Sequence, residues 1–352
     1  MRGKRVLTVA IMFLFFITLP ATITFAKVYN WKFASYVPAA NKSLGAGQKR
    51  WAEEIERRSN GQIKVKIYWA RELVGPKEMP NAVKSGLVDV VGLCPAYTPG
   101  QTPFWSVIYM PFLPPARPDQ CLLLYDRLVK ESKALKGEMD KFNCVYVGGH
   151  DSTPYNLMGK KPVRNVEDLK GLRIRCMSDH GKVLGKFGSV TVSMPVTQMY
   201  TSLDKGLIDE VAFAFEGFRT WKIDEISKYT TLGLNMGALP ALFWLNKDRW
   251  NELPDNLKKV VQSVAEDHIA FVTNLVYGLK DATLKSVKEK GIEISQFPKG
   301  DREKLLAVAP GVWDGWAKRT KNYDTAKAVL ADYIRIRDEI VAKYPQGIVK
   351  GN

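Results

Sequence analysis

Short apolar strands and amphipathic helices alternate along this chain in two successive series, and this alternation restricts the fold more than any other feature. In the first series, residues 28–36 read as a strand carrying Tyr29, Trp31 and Phe33, and residues 43–58 as a helix with Leu44, Gly47, Trp51 and Ile55 on one face. A strand over 62–69, a short helix over 78–85 and a buried strand over 88–93 follow, then a helix over 118–139 and a strand over 143–149. The second series repeats that order: a linker strand (151–160), a helical turn (166–171), a strand (172–176), a helix (180–187), a strand (190–193), a helix (195–203) and an apolar strand and loop (207–215). Two α/β lobes with a cleft between them are expected. The loops around Ser35-Tyr36, Cys94–Tyr97 and Tyr109–Phe112 would gather at strand carboxyl ends, where open α/β sheets bind ligands.

After segments at 229–234 and 239–245, one helical pattern runs from 253 to about 290, too long for one small lobe to cover, so it should span both. A strand at 291–294 and terminal helices over 301–319 and 325–343 complete the chain. The predicted division is 27–151 with 241–280 for lobe I, and 152–240 with 281–352, terminal helices included, for lobe II.

Residues 1–5 are basic, 6–19 predominantly apolar and 20–26 end on Ala26, the pattern of a secretory signal peptide with the mature start at Lys27. The apolar run is shorter than the roughly 20 residues of a membrane span, which sets aside the rival reading, an uncleaved anchor. Export to the periplasm is expected. Formal net charge is +16, falling to +13 without Arg2, Lys4 and Arg5 of the leader. Such a charge favours anionic partners, but basic residues alternate with acids, as in Glu53-Glu54-Ile55-Glu56-Arg57-Arg58, without the basic block of a nucleic-acid binder. Cys94, Cys121, Cys144 and Cys176 lie far apart and read as buried thiols, with Cys121 and Cys144 an alternative pair; neither they nor His150, His180 and His268 have metal spacing. No cofactor is expected.

Within Leu169-Lys170-Gly171-Leu172-Arg173-Ile174-Arg175-Cys176, a glycine turn enters a strand in which apolar and basic residues alternate. Arg173 and Arg175 share one face of it. Arginine carries a fixed charge and a planar donor fork that matches a carboxylate, so a strand-end arginine facing a cleft suits an anion clamp.

Four segments in this order resemble the solute-binding proteins of tripartite ATP-independent periplasmic (TRAP) transporters, of the DctP type. They are Asn81–Val91 followed by Met110-Pro111-Phe112-Leu113; Glu167–Arg175; Leu203–Asp209; and Leu253-Pro254-Asp255-Asn256-Leu257. The likeness covers nearly the whole chain after the leader. It implies a two-lobed, hinged periplasmic-binding-protein fold, a small organic acid as ligand, and delivery to the small and large membrane subunits of a permease. It also implies that Arg175, the second basic residue of the Gly-x-Arg-x-Arg strand, pairs bidentately with the ligand carboxylate; Arg173 reads as structural or surface.

Two departures bear on the ligand. Tyr155 stands where acid-sugar binders of the family place a second arginine, and Phe213 where they place an asparagine. Some oxo-acid binders hold a metal through a carboxylate near Phe213; Ala212 and Phe213 offer none, and no metal is predicted, with Glu216 the one nearby acid. An arginine beside Tyr36, Tyr97, Tyr155, Phe213 and Phe215 would suit a monocarboxylate with an apolar or aromatic body, although each aromatic reads equally as core. Glu216 would meet a ligand hydroxyl or amine, or cap the following helix. Asn235 and Trp244 are further wall candidates.

The expected function is therefore capture of an organic acid without catalysis. The rival is a periplasmic receptor presenting its ligand to a sensor protein. A hydrolase would need a Gly-x-Ser-x-Gly elbow or a His-Glu-x-x-His pair, and the sequence has neither.

Overall fold

The computed structural model describes residues 27–349, so the leader read over 1–26 lies outside the described residues. The first series folds as β1 (Tyr29–Ala34), α1 (Leu44–Arg58), β2 (Ile63–Tyr68), α2 (Met79–Lys84), β3 (Val90–Leu93), α3 (Pro118–Glu131), α4 (Lys133–Lys141) and β4 (Cys144–His150). The helix read over 118–139 is thus two helices. Ser132 between them is extended, with φ −96° and ψ 109°, and its short polar side chain does not oppose that break. The second series gives β5 (Tyr155–Gly159), β6 (Arg173–Arg175), α5 (Ser178–Gly185), β7 (Val190–Val192), α6 (Met199–Asp204), β8 (Glu210–Ala214), α7 (Phe215–Thr220) and β9 (Tyr229–Leu232). Then come β10 (Ala241–Asn246), α8 (Lys247–Asn251), α9 (Asp255–Glu289), β11 (Glu293–Gln296), α10 (Lys299–Arg319) and α11 (Tyr323–Lys343).

Each series closes around its own sheet, in the orders β2-β1-β3-β10-β4 and β11-β9-β5-β8-β6-β7. In the first, β1 runs parallel to β2 and β3, and β10 inserts antiparallel to both β3 and β4, with Trp244 opposite Val91 and Tyr146. In the second, β8 lies parallel to β6, with Arg175 opposite Val211, and antiparallel to β5, with Tyr155 opposite Ala214. Every residue of β3, β5 and β8 is buried, as central strands covered on both faces require.

The 35-residue α9 crosses both lobes. Leu257, Val261 and Val264 pack under β1 and α1, Val272 and Val276 against the α3 core, and Val287 in the second lobe. Helix α10 also passes between cores: Leu305, Ala309 and Val312 belong to the second lobe, Trp316 and Ala317 to the first. The final helix departs from expectation. Placed in lobe II by sequence, α11 packs Ala326, Val329, Leu330, Tyr333, Ile336 and Ile340 with Leu124, Tyr125 and Leu128 of α3, in the first lobe. Its apolar stripe at helical spacing demands a partner face without specifying which lobe supplies it.

All four cysteines are buried and free. Among the described residues, no helix is long and apolar enough to cross a membrane.

Candidate functional site

Strand β6 is short, and its two arginines meet different surroundings. Arg173, exposed, makes a two-pronged ion pair with Asp209 at 3.0 and 2.8 Å. Arg175, at the inner end, is only 1 % exposed. Its guanidinium donates to the Met194 carbonyl through Nε (3.3 Å) and Nη2 (3.0 Å) and to the Ala212 carbonyl through Nη1 (3.4 Å). A guanidinium has five N–H donors, so these three bonds leave two unclaimed. No carboxylate lies within ion-pairing distance of it among the described residues. Carbonyl dipoles offset only part of the several kcal/mol that burying one charge costs. The buried cation is therefore left without a counter-charge among the described residues.

Aromatic rings surround this cation. Phe213, from β8, has its ring centroid 5.5 Å from the Arg175 guanidinium carbon and 5.5 Å from the ring of Tyr155. Tyr155, fully buried, accepts a 3.2 Å hydrogen bond from the Tyr109 hydroxyl. Tyr109 comes from the segment after β3, whose side chains divide between lobes: Trp105, Val107, Ile108, Met110 and Leu113 enter the first core, Tyr109 and Phe112 the second. His180 packs tilted against both Tyr109 and Tyr155, with ring centroids 4.5 and 5.4 Å away. Burial pushes the Tyr109 and Tyr155 phenols well up and draws His180 down to about 4, so all three are neutral near pH 7.

Next to Phe213 a cavity of about 50 Å³ lies between the lobes. Tyr36 and Tyr97, edge to face at 5.5 Å, wall it from the first lobe. Phe213, Glu216 and Trp221 wall it from the second, with Val37, Leu44 and Leu239 adding apolar surface. Arg175 is not itself a lining residue; it adjoins the cavity through Phe213. The Phe213 ring rests on Gly217 in the first turn of α7, where any Cβ would collide with it.

Glu216 also lines the cavity, but its carboxyl is engaged. It accepts hydrogen bonds from the Thr153 backbone N–H (3.2 Å) and from the Thr153 hydroxyl. Thr153 belongs to the crossing between β4 and β5. On the other side of that crossing, Asp151 accepts from the Tyr125 hydroxyl of α3 at 2.6 Å and from the Ser152 N–H at 2.7 Å. Two buried acids thus fasten the inter-lobe strand to opposite lobes. Burial raises Glu216 to about 7 and Asp151 to about 6.

Of the remaining sequence candidates, Phe215 turns into the second core, 5.9 Å from Phe218. Trp244 packs in the first core against Trp105 and Phe142, at 6.3 and 6.2 Å. Asn235 occupies the left-handed region (φ 48°) in the strap returning to the first lobe. None of these three lines the cavity. Conversely, His180, Ser43 and His150 are not among the sequence-predicted site residues, and Tyr109 enters there only as part of a loop expected at the strand ends. Tyr109 sits beside the Met110-Pro111-Phe112-Leu113 segment and His180 one turn beyond β6, which are the available signals. Among the described residues, no cluster of three or more His, Cys, Asp or Glu could hold a metal ion.

Comparison with known proteins agrees with this architecture. Residues 33–319 match the family model DctP, "bacterial extracellular solute-binding protein, family 7". A crystal structure of a TRAP periplasmic solute-binding protein from Desulfovibrio salexigens, in an open complex, is 25% identical, covering 92% of this chain and 98% of that one, with a TM-score of 0.78. A marine metagenome TRAP solute-binding protein specific for aromatic acid ligands, crystallised with 3-hydroxybenzoate, is also 25% identical, covering 89% and 99%, with a TM-score of 0.76. The C4-dicarboxylate-binding periplasmic protein DctP of Rhodobacter capsulatus is 23% identical over 308 residues, 84% of this chain and 89% of that protein.

Proposed function

The chain belongs to the DctP family of bacterial extracellular solute-binding proteins, and we propose that it captures a monocarboxylate with an apolar or aromatic body in the cleft beside Phe213. One observation carries this reading: Arg175 is a buried cation with two free donors and no acid partner. A carboxylate fits that fork bidentately and supplies the missing charge. Tyr155 and Phe213 bring no second cation, and the apolar surface of Val37, Leu44, Tyr97 and Trp221 suits a ring or chain behind the acid. The aromatic-acid specificity of the metagenome protein supports this ligand class, whereas the Rhodobacter protein is named for dicarboxylates.

The protein works without catalysis of its own: ligand binding orders the cleft and shifts the lobes toward closure. The closed form, in the periplasm, is what the TRAP membrane subunits would recognise. The test is thermal denaturation of ligand-stripped residues 27–352 across a panel of carboxylic acids, with Arg175→Ala alongside. A ligand at a hundred times its dissociation constant should stabilise by about 2.7 kcal/mol. Aromatic or apolar monocarboxylates should raise the melting temperature of the parent and leave Arg175→Ala unmoved. A response confined to dicarboxylates or acid sugars would overturn the proposed ligand class, and an undiminished Arg175→Ala response would overturn the clamp.

A further inference from the structure

The cavity beside Phe213 contains polar atoms that the Arg175 clamp does not use. Ser43, immediately before α1, places its Oγ 3.0 Å from Nε2 of His150, at the end of β4. The other ring nitrogen, Nδ1, has no partner. It faces Gly47, where a Cβ would come within 3.0 Å of it. An orphaned N–H is the costlier state for a buried nitrogen, so the ring hydrogen is assigned to Nε2. His150 then donates to Ser43 Oγ, and the Ser43 hydroxyl hydrogen stays available to the cavity. The Tyr36 hydroxyl, from the same lobe, is also sealed from solvent and unpartnered.

Charge around these hydroxyls is one-sided. Among the described residues, no lysine or arginine lines the cavity, and Glu216 is the one acid that does. Burial holds His150 down at about 3, so it is neutral at ordinary pH. A second carboxylate placed here would find no cation on the cavity wall to pair with. A neutral oxygen would satisfy the buried Tyr36 hydroxyl, which has no partner, and the remaining hydrogen of the part-buried Ser43 hydroxyl.

We propose that Tyr36 and Ser43 form a second recognition point that selects monocarboxylates bearing a hydroxyl or carbonyl oxygen away from the acid group. This inference rests on the Arg175 reading. Val37, Leu44 and Phe213 would hold the carbon body between the two polar ends.

Calorimetric titration of ligand-stripped residues 27–352 with phenylacetate, 3-hydroxyphenylacetate, 4-hydroxyphenylacetate and 1,3-phenylenediacetate tests it. One hydroxylated acid should bind about five- to tenfold more tightly than phenylacetate, the worth of one net hydrogen bond. The diacid should bind less tightly than either hydroxylated acid. Ser43→Ala and Tyr36→Phe should each shrink the hydroxyl preference toward unity. The Ser43 side chain makes no capping bond to α1, and Tyr36→Phe keeps the ring, so both variants should fold. Equal binding of phenylacetate and both hydroxylated acids, or tightest binding of the diacid, would overturn this inference while leaving the clamp standing. If none of the four acids binds, this inference fails; the Arg175 reading fails with it only if the whole panel of carboxylic acids leaves the melting temperature of the parent unmoved.

Discussion

Arg175 lies with its guanidinium carbon 5.5 Å from the centroid of Phe213, on the neighbouring strand. One ring therefore both covers the cation and forms the cavity wall beside it. A cation over an aromatic face gains about 2 kcal/mol or more when desolvated, short of the several kcal/mol that burying an unpaired charge costs. Phe213 offsets part of that cost, and under the proposed clamp a ligand carboxylate would supply the rest.

The empty protein should consequently be more stable without its clamp. Arg175→Met, similar in volume and uncharged, is expected to raise the denaturation midpoint of the ligand-free chain while abolishing its response to carboxylates. Urea unfolding with and without acid measures both effects. Loss of stability in the empty variant would mean that the carbonyls of Met194 and Ala212 already neutralise the charge.

Gly217→Ala should displace the Phe213 ring. Overpacking of this kind costs about 1–3 kcal/mol, and affinity for acids with a ring body should fall more than affinity for short aliphatic acids. Titration with one acid of each kind would show the difference. Equal losses would place the Phe213 ring outside the ligand's reach.

Removing the cross-lobe hydroxyl of Tyr109 should favour the open form. Its bond to Tyr155 is of the kind worth about 0.5–1.5 kcal/mol, so Tyr109→Phe is expected to weaken ligand binding by up to about tenfold, with a larger radius of gyration in solution scattering. Unchanged scattering together with unchanged affinity would exclude Tyr109 as a latch.

Glu216 titrates in an informative direction. Its folded value of about 7 lies above the ordinary 4.5, so the native state holds its proton more tightly than the unfolded chain. The contribution of Glu216 to stability is thus fully present below about pH 4.5 and is lost as pH rises toward 7. Burial of His150 and His180 works oppositely, because those rings resist protonation in the fold. Comparison with Glu216→Gln cancels the histidines: the parent should lose stability relative to the variant between about pH 4.5 and 7. Parallel pH profiles for the two chains would place the Glu216 carboxyl in a wetter setting.

Local patterns made much of this legible. The glycine turn and the alternation through Arg175 are contained within eight residues, and the strand–helix order fixes two α/β lobes. Pairings across long separations were not readable. Ser43 and His150 are 107 positions apart and Thr153 and Glu216 63, and no periodicity connects them. Trp244, Phe215 and Phe213 have the same aromatic character in the sequence. Only the direction of their strands and the turn into α7 send Phe213 to the cleft and the other two into cores. The lobe chosen by α11 was hidden for a related reason, since an apolar helical stripe is the same whichever face it covers.

The insertion of β10 between β3 and β4 has a consequence for how the molecule comes together. All strands of the second sheet except β11 lie within one continuous stretch, Tyr155 to Leu232. The first sheet instead lacks a middle member until Ala241–Asn246 has been made. Completing the first sheet thus needs closure of the long chain separation between β4 and β10, so β3 and β4 should pair later than the strands of the second lobe. Pulse-labelled refolding should show amides of β5 and β8 protected before those of β3 and β4.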